Sequence, residues 1–173
     1  LTGYMKLHAF VEADGHDDMD LFVTVKKVHE NGTEIPVTLF DGTAPHPGAW
    51  GKMRVSHREL DEALSSDFQP VQAHRRELKL SAGEIVPIDV EINPTSRLWR
   101  KGEILRVQVA GRYLRDEHWI EPLMWETDNR GSHIVHTGGE YGSYLQVPIV
   151  GPRHDRSKPF VVDEARHPTH PIF

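Results

Sequence analysis

There is no cysteine in this sequence. Disulfides, thiolate metal sites and a cysteine nucleophile are thereby excluded, and a reducing compartment, the cytoplasm, is the expected setting. Excess basic charge is also missing. Lys and Arg number 20 against 26 Asp and Glu, a formal charge of −6, so nothing draws the chain to a phosphate backbone and nucleic acid is not an expected partner. No stretch approaches the roughly 20 apolar residues of a membrane helix, and no membrane partner is expected either. The chain opens at Leu1 without methionine or a signal-like segment, directly on an alternating pattern, as though excised from something longer. What is present is 173 residues, 38% hydrophobic and 27% charged, the size of one domain with a real core. Nothing in this composition bars a homo-oligomer.

Helical periodicity is scarce, and period two takes its place. Met5, Leu7, Ala9 and Val11 share one face of "YMKLHAFVEA"; Leu21, Val23 and Val25 alternate with Phe22, Thr24 and Lys26. Asn31-Gly32 then predicts a hairpin returning through "EIPVTLF". Val86, Ile88, Val90 and Ile92 predict a strand that pairs, across the turn "NPTSRLWRKG", with one carrying Leu105, Val107 and Val109. A last pair, "HIVHT" and "SYLQVPIV", is joined at Gly138–Gly142, with Leu145, Val147 and Ile149 inward and Pro148 at an edge or strand end. Adding "KMRV" near Met53 and "LKL" near Leu78 gives eight or nine short strands. That pattern predicts an all-β antiparallel sandwich of jelly-roll type with long loops. One short helix is predicted in "HRELDEALSS", from Leu60 and Leu64 at i and i+4. The long connections are 41–49 and 111–131; residues 1–150 form the sandwich, and 151–173 a C-terminal extension that wraps or docks on a surface.

"RVSHRELDEAL" sets Ser56, His57 and Asp61 close in sequence, the residue types of a serine hydrolase. A strand would send Ser56 and His57 to opposite faces, and a helix would leave Ser56 at the cap with His57 and Asp61 as a surface pair. Neither aims the hydroxyl at the imidazole. None of the eight serines has glycine two residues before it, so no nucleophile elbow exists, and neither dinucleotide nor phosphate-loop patterns occur. No catalytic residue and no cofactor is expected. The twelve histidines offer His133/His136 and His167/His170 at i, i+3, which on a strand point apart; they read as surface residues and no metal is expected. Asp14, Asp17, Asp18 and Asp20 miss the calcium-loop register and read as a solvated turn, with Asp20 near enough the next strand to bond backbone. Trp50, Trp99, Trp119 and Trp125 leave open a free-standing carbohydrate-binding sandwich. Tyr113, Trp119, Met124 and Trp125, in the 111–131 connection, are the candidate residues for a patch that buries against another domain.

Four stretches in order, "DMDLFVTVKKVHENGTEIPV", "RVSHREL", "PIDVEINPTSRLWRKGEILRVQVAG" and "HTGGEYGSYLQVPIV", carry a resemblance. Over roughly residues 1–150 the sequence resembles the C-terminal domain of the X-Pro dipeptidyl-peptidase and cocaine-esterase family of serine hydrolases. The resemblance implies a galactose-binding-like jelly roll. Its expected partners are an α/β-hydrolase domain that carries the triad and a helical cap, both in the same polypeptide. It also implies a supporting role for this chain near the substrate entrance, with ester or X-Pro peptide hydrolysis performed elsewhere. No catalytic residue of the family has a matching position in this sequence.

Overall fold

The computed structural model describes residues 1–38, 45–46, 48–113 and 127–150. Its strands are β1 (Thr2–Asp14), β2 (Asp20–Val28), β3 (Val37–Thr38), β4 (Pro45–His46), β5 (Ala49–Arg54), β6 (Val86–Ser96), β7 (Ile104–Ala110), β8 (Ser132–His136) and β9 (Tyr144–Gln146). One sheet runs β6-β1-β8, with β9 also on β1; the other runs β5-β2-β7; β3 and β4 form a small ribbon. All pairings are antiparallel, which gives the two-sheet sandwich that the alternation predicts.

The register explains the core. Met5 lies opposite Ile92, Leu7 opposite Val90 and Ala9 opposite Ile88, so the odd residues of β1 and the even residues of β6 face inward together. They meet Leu21, Val23, Val25 and Met53 from the other sheet in one cluster. Fully burying each Met, Leu, Ile or Val side chain contributes about 1.5–3 kcal/mol. β2 is buried on both faces, Phe22 and Thr24 included, and its "LFVTV" run accordingly lacks polar alternation.

Two predicted pairs are corrected. β6 and β7 do not pair: β6 joins β1 and β7 joins β2, so "NPTSRLWRKG" crosses between sheets. β8 and β9 likewise do not pair with each other; both lie along one edge of β1, at Phe10–Asp14 and Lys6–His8 respectively. An alternating strand fits any partner that presents the same face, and here the long β1 offers more edge than either neighbour. The Asn31-Gly32 turn does form, with Gly32 at φ 83°, and its return is carried by a Val28–Glu34 bridge and by bonds from His29 N–H to the Thr33 carbonyl and from Ile35 N–H to the Lys27 carbonyl. Leu145 and Val147 pack on the core, whereas Ile149 is 77% exposed.

The predicted helix is corrected too. Only a 3-10 turn, Val55–His57, precedes an irregular return in which Ala73 N–H bonds the Glu59 carbonyl and Asp61 N–H the Val71 carbonyl. Asp61 Oδ1 accepts from the N–H groups of Ala63 and Leu64, a local bond that competes with helix. Leu64 is left exposed. "LKL" joins no strand; Leu78 N–H bonds the Ser56 carbonyl and Leu80 N–H that of Asp17.

The two sheets come into close contact at Gly51 in β5. A Cβ there would lie 1.9 Å from the Glu91 carbonyl oxygen of β6, so only glycine lets the two edge strands touch. Among the described residues no helix is long and apolar enough to cross a membrane.

Candidate functional site

Where β5 meets β6, a cleft of about 520 Å³ opens along the sheet edge. Phe22 and Trp50 form its apolar wall, Arg54 and Lys52 bring positive charge, and Glu91 faces them from β6. His57 and His74 also line it. Arg54 grips Asp20 through two nitrogens, each 2.8 Å from a carboxylate oxygen. That bidentate bond raises the already high guanidinium pKa, against the opposing effect of burial. Burial lowers the Lys52 pKa. Among the described residues that line it none is Ser, Thr, Tyr or Cys, so these side chains offer no hydroxyl or thiol nucleophile.

The Ser56, His57 and Asp61 constellation is taken apart by the fold. Ser56 is fully buried, and its backbone N–H donates to Asp18 Oδ1 at 2.9 Å. His57 Nδ1 lies 3.1 Å from His74 Nδ1. Asp61 pairs with Arg75 instead of forming the surface pair with His57 that a helix would have made. A substrate carbonyl has no access to this hydroxyl, and the imidazole is not its base.

Asp18 corrects the reading of the acidic turn as solvated. Only 5% exposed, it accepts from the N–H groups of Met19 and Ser56, both at 2.9 Å, and from Lys79 Nζ at 3.1 Å. Burial pushes its pKa up, but the Ser56 hydroxyl and N–H, Lys79 and Met19 together outweigh burial and hold the pKa below the usual value. Ser56 Oγ makes no hydrogen bond of normal geometry, so its influence on Asp18 comes from proximity and the formed bond is the backbone one. Asp20 uses its carboxylate on Arg54, while its N–H and carbonyl bond the side chain of Asn129.

Two other imidazoles do meet carboxylates: His8 Nδ1 with Asp89 Oδ1 and His136 Nε2 with Glu12 Oε2, both at 2.9 Å. They sit on the outer face of the β1 sheet beside Tyr144 and Tyr141, and among the described residues neither has a hydroxyl on its other nitrogen. His133 points away from His136, as i, i+3 on a strand requires, and burial lowers its pKa. No group of three or more His, Asp or Glu suited to a metal occurs among the described residues.

Of the candidate patch, Tyr113 is half-buried and meets Phe22 and Trp50 edge-on, at 5.9 and 6.1 Å between ring centroids. Trp119, Met124 and Trp125, like the 151–173 segment, lie outside the described residues. Trp50 lines the cleft and meets Tyr113 edge-on, and Trp99 lies under Arg97 and Lys27. The sequence reading missed the His57–His74 approach. Seventeen residues separate the two, and no spacing rule links them.

A family model described as the X-Pro dipeptidyl-peptidase C-terminal non-catalytic domain matches residues 1–146. Two crystal structures of a CocE/NonD family hydrolase from Staphylococcus aureus are similar, at 41% and 42% identity and a TM-score of 0.79. Each alignment covers 87% of this chain and 28% of that hydrolase. Among curated proteins, none matches.

Proposed function

Because the chain belongs to the X-Pro dipeptidyl-peptidase C-terminal non-catalytic domain family, we propose that it is the supporting β-sandwich of a larger serine acyl hydrolase. In this reading residues 1–150 brace an α/β-hydrolase catalytic domain and its cap in the same polypeptide and shape the substrate entrance. The catalytic chemistry, opening of an ester or X-Pro amide through an acyl-enzyme, belongs to the other domain. Tyr113, Trp119, Met124 and Trp125 face that domain, and residues 151–173 are an extension that wraps or docks on a surface. The hydrolase works in the cytoplasm. A family match over residues 1–146 carries the reading, and the full burial of Ser56 supports it.

The test compares this chain with the full hydrolase polypeptide on a p-nitrophenyl ester and an X-Pro anilide. Turnover abolished by a serine-directed inhibitor is expected from the full polypeptide alone. The same turnover from the 173-residue chain would overturn the assignment.

A further inference from the structure

We propose that His57 and His74 form a two-point binding site for a late first-row divalent metal, copper(II) first, then nickel(II) or zinc(II). Their Nδ1 atoms converge to 3.1 Å with ring planes 47° apart. With metal–nitrogen bonds of about 2.0–2.1 Å, two nitrogens at that spacing subtend roughly 100° at a shared ion, close to the angle of neighbouring ligands. One ring now donates its Nδ1 hydrogen to the other. On binding, the donor ring shifts to its Nε2–H tautomer and both Nδ1 lone pairs turn to the metal.

Both rings are held from below. His57 ends the 3-10 turn whose Val55 and Ser56 are buried and whose Ser56 N–H is fixed by Asp18. His74 sits at φ 50°, the one left-handed non-glycine among the described residues, flanked by Ala73 bonded to Glu59 and by Arg75 paired with Asp61. Neither ring has another hydrogen-bond partner among the described residues. Such fixed placement lowers the ordering cost of chelation.

The donor set selects the ion. The carboxylates nearest in sequence are engaged, Asp61 by Arg75 and Glu59 by Arg76, which leaves the two imidazole nitrogens as the converging donors among the described residues. That chemistry favours copper, nickel and zinc and offers nothing to calcium or magnesium. The remaining coordination positions open to solvent and to the cleft shared with Trp50 and Lys52.

Copper(II) titration of this chain, followed by calorimetry and electron paramagnetic resonance, tests the site. His57→Gln and His74→Asn are compared with His29→Gln, an exposed histidine away from the pair; asparagine tolerates the left-handed backbone at 74. Each pair variant should weaken one binding equivalent by roughly tenfold or more and reduce its nitrogen hyperfine pattern from two imidazoles to one. His29→Gln should change neither. Nickel(II) should raise the melting temperature of the wild-type chain but not of the pair variants, and magnesium or calcium should shift none of them. Should His57→Gln misfold, the exposed His74→Asn decides alone. Wild-type affinity and stoichiometry in His74→Asn, or an equal shift with calcium, would overturn the proposal.

Discussion

Asp18 is one carboxylate serving three donors, and each belongs to a different stretch of chain: Met19 beside it, Ser56 in the 3-10 turn and Lys79 in the returning segment. Asp18→Asn leaves these donors facing a neutral amide and should cost about 2–3 kcal/mol in chemical denaturation. Since the folded pKa lies below the unfolded value, the stabilisation is complete above about pH 4 and is lost as pH falls through the folded pKa. The stability curve of Asp18→Asn below pH 4 should therefore be flatter than that of wild type. Ser56→Ala is the contrast: the backbone N–H makes the bond and Oγ is unpartnered, so stability should stay within about 1 kcal/mol and hydrolysis by the full polypeptide should be unchanged. Neither role was legible in sequence. Ser56 and Asp18 are 38 residues apart, and a buried serine looks the same on paper as an exposed one.

Among elements, the inward faces of β1 and β6 were legible because a single residue separates each aliphatic pair, Lys6, His8 or Phe10 in β1 and Pro87, Asp89 or Glu91 in β6, and the pleat turns that spacing directly into a face. Partnership was not legible. The alternation of β6 is satisfied equally by β7, its neighbour in sequence, and by β1, its partner in the fold. The helix reading at 57–66 failed because Asp61 bonds the backbone locally and Leu64 has no apolar surface to meet. Gly51 supplies the sharpest test of how the two sheets join. Gly51→Ala must separate β5 from the Glu91 carbonyl, and a loss of about 3 kcal/mol or more in denaturant unfolding is expected. Wild-type stability in that variant would mean that the sheets do not approach as described.

For the whole molecule, the proposed interface makes a differential prediction. Trp119→Ser and Trp125→Ser should lower the melting temperature of the full hydrolase by several degrees more than that of this chain alone. Equal shifts in both would count against a domain-facing role. The arrangement of β1 carries one more consequence, and it concerns time. Residues 2–14 precede the other described strands of the sandwich, yet their partners are residues 86–96, 132–136 and 144–146. Every described pairing of that strand thus waits on a loop closure at least as long as that from Val11 to Val86, which slows folding. Until they close, Met5, Leu7, Ala9 and Val11 present a long apolar edge to other nascent chains. Aggregation during synthesis is therefore the hazard written into this topology, and it lasts until β9 docks on β1.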